Sequence, residues 1–462
     1  MFLPACLFPQ TKKMKELKIH NFRCYETKSI VFRPGINLLV GDNSSGKTSL
    51  IRACNFVANS FFCGYSDENT NWKSVDENDF KLNIGDENTI LPEKPVSIDF
   101  RLSESDFPPI DCPDGNSLVF DYEGTSLKLE KKSKKNSRNL VTGLTALKEL
   151  AASLYSYSHI ESNGKLTQYN TLPVYACFTT EDIHAYRKID ATKFKAYAQK
   201  PSFGYFECYD CRGLFDYWLK RLLVLQEAEI GETEILSVRN ALRDALGKDG
   251  CNIVDDIIIR PMRGKVLFKL TDGRLVSSEL LSDGYKRLIN IVLDIAIRCS
   301  LLNKVKYGAE CYKHTHGTVI IDEIDEHLHP ALQIRILKDL QRTFPKIQFI
   351  VSSHAPLVIS SVEKKEENVV YRLWYDRENR QYYHKELDTY GLDANLILEE
   401  QMMVESRDIA IKEMINHIES LVHERQLEKA KAAMRDLESK TAADQPALIR
   451  IRSVINRLES RK

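Results

Sequence analysis

From residue 14 onward, apolar and polar side chains alternate: Leu17, Ile19 and Phe22, then Ile30 and Phe32. That period of two predicts a pair of half-buried strands. Ile36-Asn37-Leu38-Leu39-Val40 follows as a short run of the kind found in a strand covered on both faces. Residues 61–140 are rich in Asn, Asp, Ser, Gly and Pro, which predicts loops holding strands at Val96–Leu102 and Ser117–Tyr122. Between 141 and 250 the apolar positions fall three and four apart, predicting helices over Leu144–Leu154, Leu214–Glu229 and Glu234–Leu246. From 251 to 375, strand-like segments (Ile253–Ile259, Val266–Leu270, Thr318–Ile321, Gln348–Val351) alternate with helical ones (Leu288–Ser300, Ala331–Thr343). That alternation is the mark of an α/β fold, a sheet covered by helices. Beyond Gly391 only the helical period remains, in three amphipathic segments around 404–424, 427–437 and 448–458.

The 462 residues suffice for two or three domains at roughly 150 residues each. Lys plus Arg and Asp plus Glu each number 65, so the surface as a whole is no magnet for nucleic acid or membranes, although a local basic patch is allowed. An apolar fraction of 43% places the chain among ordinary globular proteins, and no run is long enough to span a bilayer. Residues 1–13 lack the charged start of a secretion signal and read as an extension ahead of Met14. Eleven cysteines without repeating spacing, an odd count, point to reduced thiols in a cytoplasm. Cys208 and Cys211 form a lone CxxC without a second pair, which favours a structural thiol pair over zinc or redox chemistry.

Gly41-Asp42-Asn43-Ser44-Ser45-Gly46-Lys47-Thr48 matches the phosphate-loop pattern GxxxxGK[ST] between the strand Ile36–Val40 and a helical stretch, Ser49–Asn59. The context is what makes it specific: backbone N–H groups curl around an anion and deliver it to a helix N-terminus. Gly41, Asn43, Ser44, Ser45, Gly46, Lys47, Thr48 and Ser49 are thus expected to hold ATP, with Lys47 reaching the β- and γ-phosphates and the Thr48 hydroxyl on Mg²⁺. Thr318–Ile321 ends in Asp322 and Glu323, the first to hold Mg²⁺ through its water shell and the second to polarise the attacking water.

More than half of the chain separates Lys47 from Asp322, which implies an ATPase core split by an insertion. Leu281-Ser282-Asp283-Gly284-Tyr285 precedes a helix ahead of the carboxylates, and Ser352-Ser353-His354 closes the next strand. In this order the motifs resemble the head domain of ABC-type ATPases of the SMC, RecF and OLD-like branch. LSDGY stands where that family has its signature, with Asp283 in place of the first glycine, and His354 stands at the switch histidine. The resemblance implies an ABC-type P-loop head with a compact inserted region and a C-terminal α-helical tail. Its parts would be core halves at 1–60 and 251–390, an insertion at 61–250 acting as lid or dimerisation arm, and a tail at 391–462. The insertion is too poor in heptads for long coiled-coil arms. The resemblance further implies catalytic roles for Lys47, Glu323 and His354, and contacts from Ser282 and Gly284 to the γ-phosphate held by a second subunit. A homodimer or higher even-numbered oligomer follows. Gln168 is a weak candidate for the family's Q-loop glutamine.

Gly204-Tyr205-Phe206-Glu207, Phe215-Asp216-Tyr217-Trp218 and the tail's opening Gly391–Glu400 narrow the resemblance to the PtuA family, ATPase subunits of Septu-type and retron-linked anti-phage systems. That family is partnered by an HNH-type nuclease, expected here on the C-terminal helices. The implied role is an ATPase that scaffolds and restrains this nuclease, with a RecF-like DNA-repair ATPase and a PARIS-type sensor of a toxic effector as alternatives. No Toprim-like or HNH-like pattern occurs in the chain. The tail helices either pack among themselves or over the ATPase, or they form the docking platform. His314, His316, His327 and His329 read as structural or solvent-facing imidazoles. Lys128, Lys131, Lys132, Lys134, Lys135 and Arg138 form either a solvated loop or a DNA or RNA contact, with no aromatic platform among them.

Overall fold

The computed structural model describes residues 13–459 apart from 71, 83–93, 104–108, 120–125, 135–137, 163–164, 181–199, 403–407 and 442–445. The chain divides into two compact units, Met1–Leu392 and Asp393–Lys462.

The first unit is built on a six-stranded sheet. Its order is Val174–Phe178, Gly317–Ile321, Ile347–Ser353, Ile36–Val40, Val369–Asp376 and Gln381–Leu387. The first five are parallel and the last pairs antiparallel at the edge. Every residue of the three central strands is buried, which is why they read as near-continuous apolar runs instead of alternating ones. Helix Lys47–Asn59 packs on two of those strands, and the long helix Asp283–Tyr307 packs on Val174–Phe178. The alternating strands Met14–Phe22 and Tyr25–Val31 lie in a separate antiparallel sheet with Val96–Leu102 and Leu127–Lys131. A third sheet joins Val254–Arg260, Lys265–Leu270 and Leu275–Ser277.

The stretch 141–250 is not only helical. Helices Thr145–Tyr157, Phe215–Glu227 and Glu232–Leu246 form as the spacing predicts, but Val174–Phe178 joins the central sheet beside the Asp322 strand. Five apolar residues carry no usable period, so only the completed sheet identifies them as a strand. Of Ser117–Tyr122, the two-residue strand Ser117–Leu118 is described, and 120–122 lie outside the described residues.

A buried polar knot fastens this middle stretch to the long helix. Asp294 accepts from the Arg298 Nε and the Trp218 Nε1, each at 2.5 Å, and Arg298 Nη1 reaches the carbonyls of Gly204 and Phe206, each at 2.9 Å. Cys208 and Cys211 are buried free thiols in the same region, with Cys211 Sγ 3.9 Å from Asp294, and burial pushes the Cys208 thiol up to about 12. Such thiols are poor nucleophiles at neutral pH.

The second unit contains helices Ile409–His423, Leu427–Lys440 and Pro446–Glu459. Ile415, Ile418, Ala430, Leu437, Leu448, Ile451 and Ile455 close a core of their own. Asp408 opens the first helix by accepting from the Ala410 N–H at 2.9 Å, an N-cap that satisfies one of the helix's free donors. Among the described residues, no helix is long and apolar enough to cross a membrane.

Candidate nucleotide-binding site

The phosphate loop rises from the buried strand Ile36–Val40 and turns into helix Lys47–Asn59. Ser44 and Gly46 both take positive φ, 69° and 93°, which winds the backbone so that the helix opens beneath the loop. Gly46 admits no side chain: a Cβ there would lie 2.3 Å from the Tyr25 hydroxyl. That hydroxyl donates to the Gly46 carbonyl at 3.0 Å, so the first antiparallel sheet braces the loop. Tyr25 carries no motif and is invisible to motif reading.

Lys47 is buried, and its ammonium donates to the carbonyls of Gly41 at 2.8 Å and Asp42 at 2.9 Å. Burial lowers its pKa, opposed by the carboxylates of Asp322, Glu323, Asp42 and Asp325. A desolvated ammonium held within the loop gains most from an anionic partner. Asp42, Asn43, Ser44 and Thr48 are exposed, Gly41 and Ser45 are buried, and Gly46 and Ser49 are half-buried.

Asp322 and Glu323 follow the strand Gly317–Ile321, with the His354 strand between them and the phosphate loop. One hydroxyl organises both acids: Ser352 Oγ donates to Asp322 Oδ1 and accepts from the Glu323 N–H at 2.8 Å. Asp322 is thereby held buried, whereas the Glu323 side chain is 41% exposed on a residue with φ of 51°. His354 Nε2 lies 3.9 Å from Glu323 Oε1, and the His354 N–H donates to Asp325 Oδ1 at 3.3 Å. Thr48 and Asp322 line one cavity of about 420 Å³. A hydroxyl and a carboxylate beside room for water are hard oxygen donors, the set that magnesium takes, so the residues fit that ion.

The signature residues are tied to this end through their own helix. Ser282 caps Asp283–Tyr307 by accepting from the Tyr285 N–H at 3.4 Å. A Cβ on Gly284 would lie 2.4 Å from the His327 carbonyl. Arg287, fully buried, donates to the carbonyls of Asp322 at 2.8 Å and Glu323 at 3.1 Å and to Glu326 at 2.8 Å. Among the described residues, this hydrogen bond of Ser282 stays within its own helix; the structure joins Lys47, Asp322, Glu323 and His354, while Ser282 and Gly284 open the long helix beside the segment that follows Glu323. Arg287 and Ser352 sit inside the motifs LSDGYKRL and SSH, and the motif types alone did not assign them.

Gln168 is not available as a Q-loop residue. Its amide donates to the Asn170 and Leu302 carbonyls and to Asn303, and it accepts from the Lys306 N–H, all far along the long helix. The four histidines are engaged separately: His314 stacks on Tyr307, His329 Nδ1 accepts from the Ala331 N–H, His327 lies 3.7 Å from Glu326, and His316 is buried. Among the described residues, the basic stretch does not turn all its lysines outward. Lys131 turns inward to the Val75 carbonyl at 2.5 Å, Lys128 pairs with Glu130 at 2.7 Å, and Lys135 lies outside the described residues. Period-two alternation explains the first of these, since Lys131 shares the buried face of its strand with Leu127 and Leu129.

Comparison with known proteins gives matches over parts of the chain. The "Retron Vc95 probable ATPase" of Vibrio cholerae serotype O1 biovar El Tor is 37% identical over 155 residues, 33% of this chain and 29% of that protein. The "Septu protein PtuA" of Bacillus mycoides (strain KBAB4) is 39% identical over 106 residues, 23% of this chain and 13% of that protein. The chain thus spans less than a third of the length of these curated relatives. Among solved structures, an SMC head bound to the C-terminal winged-helix domain of ScpA aligns with a TM-score of 0.44 at 16% identity, over 81% of this chain and 98% of that one. RecF in a nucleotide complex aligns with a TM-score of 0.38 at 14% identity, over 79% and 97%. Because residues 36–360, well over half of its length and both halves of the site, match it, the chain belongs to the family described as "AAA domain, putative AbiEii toxin, Type IV TA system".

Proposed function

We propose that this chain is the ATP-binding and ATP-hydrolysing subunit of an anti-phage defence complex, in which ATP-dependent pairing of two copies scaffolds and regulates a separate HNH-type nuclease. The likeness to the retron ATPase and to PtuA supports the defence setting. The observation that carries the ATPase reading is the convergence, at the C-terminal ends of the central strands, of the buried Lys47 ammonium and the Asp322-Glu323 pair fixed by Ser352.

In this reading Lys47 leaves its carbonyl partners for the β- and γ-phosphates, and the turn at Ser44–Gly46 presents backbone N–H groups to them. Thr48 and Asp322 would hold Mg²⁺, which would supply positive charge to offset that of the phosphates. Glu323, exposed and aimed from a strained backbone, orients a water, and His354 beside it senses the γ-phosphate. Ser282 and Gly284 open the long helix, and in this reading they contact the phosphate held by a second copy. Binding of ATP then joins two surfaces, and the energy of that closure is what reaches the nuclease.

Lys47→Ala is expected to abolish ATP binding, and Glu323→Gln to retain unhydrolysed ATP and hold the chain as a dimer in size-exclusion chromatography with light scattering. A Glu323→Gln protein that releases ATP as fast as the parent would remove Glu323 from the hydrolytic role. A Glu323→Gln protein that keeps ATP as a monomer would remove the two-copy site.

A further inference from the structure

Strand Val174–Phe178 runs parallel to the Asp322 strand with Phe178 opposite Ile321, and the Asp322 N–H donates to the Phe178 carbonyl at 2.9 Å. Thr179 is therefore level with Asp322 on the adjoining strand. Its side-chain oxygen is sealed from solvent and has no hydrogen-bond partner, an uncommon state for a buried hydroxyl and one that calls for a reason. Thr179 also lines the cavity that Thr48 and Asp322 share. Two other polar side chains of the lining are already engaged: Asn55 donates to the Tyr209 carbonyl at 2.8 Å, and the Lys73 ammonium lies 3.8 Å from the centre of the Tyr209 ring. The cavity, about 420 Å³, is more than ten times the ~30 Å³ share of one water molecule. Thr179 lines this chamber, and a turn about the Cα–Cβ bond of a threonine exchanges its methyl and hydroxyl between staggered positions.

We propose that Thr179 is a positioning residue for the magnesium of the nucleotide site, its hydroxyl bonding a water of the ion's shell beside Thr48 and Asp322. The inference rests on the reading that the chain binds ATP with magnesium. Magnesium gives up its waters reluctantly, so a site with one protein hydroxyl and one carboxylate gains selectivity from groups that hold the retained waters. Gln168 is committed elsewhere, and Thr179, level with Asp322, adds an uncharged hydroxyl to a cavity that Thr180 and Asp210 also line.

The test uses the full chain and two measurements: Mn²⁺ affinity by electron paramagnetic resonance in the presence of a non-hydrolysable ATP analogue, and analogue affinity in EDTA. Thr179→Val keeps the shape and removes the hydroxyl. A hydroxyl with only a packing role would make this change nearly neutral. The expected result is Mn²⁺ affinity lowered roughly three- to ten-fold, the magnitude of one hydrogen bond, with analogue affinity in EDTA and melting temperature unchanged, and with Thr179→Ser restoring the parent value. Thr48→Ala serves as the reference. If it weakens Mn²⁺ binding while Thr179→Val does not, the inference about Thr179 is wrong and the magnesium site stands. If neither variant changes Mn²⁺ affinity, both the inference and the magnesium reading fall.

Discussion

Single residues in this site do two jobs, and Gly284 shows how to separate them. Its absent side chain lets the long helix approach the His327 carbonyl within its own chain, where a Cβ would intrude to 2.4 Å. The proposed contact with a partner's phosphate would also favour glycine. The two explanations differ in what they predict without nucleotide. Gly284→Ala must shift backbone against backbone, an overpacking cost of about 1–3 kcal/mol. Built into the Lys47→Ala chain, which binds no ATP in this reading, it should still lower stability by that amount in chemical denaturation. An unchanged denaturation midpoint there would mean the packing contact is soft and phosphate alone constrains the position. The turn at Ser44 and Gly46 was legible from sequence because the loop's spacing encodes backbone geometry. Ser352 was not, because a serine's role depends on which strand ends lie beside it, and that is set by sheet order.

Elements follow the same division. The phosphate-loop strand, the Asp322 strand and helix Glu232–Leu246 were readable because each carries its own periodicity or punctuation. Val174–Phe178 was hidden within a helical stretch: its burial on both faces removes the alternation that marks a strand. Helix Asp283–Tyr307 begins five residues earlier than its apolar spacing suggests, since Ser282 caps it and its opening turns bury Gly284 and Arg287, which carry no apolar period. What locks the hidden region to this helix is the Asp294–Arg298 pair, both side chains wholly buried. Asp294→Asn would leave the Arg298 guanidinium buried without its counter-charge, a loss of about 3–5 kcal/mol. The expected outcome is a lower urea midpoint, with amide exchange accelerated first around Gly204–Trp218, where Arg298 and Asp294 make their other bonds. Uniform acceleration across the sheet would instead make the pair a global stabiliser and not a clamp on this segment.

At the scale of the molecule, the two units each close their own core, and this bears on where a partner would bind. The apolar positions that made the tail look like a docking platform, Ile415, Ile418, Leu421, Met434, Leu448 and Ile451 among them, are spent on one another. Sequence spacing could not decide this, because an amphipathic helix looks the same whether its stripe meets a sister helix or a foreign protein. Docking on the tail, as proposed, would then use its exposed side, where Ile449 is 50% and Val454 39% exposed on the last helix. Two variants separate folding from docking. Removing residues 393–462 should leave ATP binding intact and lose the proposed nuclease partner in a pull-down from the co-expressed operon. Ile449→Asp with Val454→Asp should lose it too while the tail keeps its helical circular dichroism, because neither residue belongs to the tail's core. Recovery of the nuclease with the truncated chain would place its binding surface on the nucleotide-binding unit. Loss only on truncation, with the double variant retained, would move docking to another face of the three helices.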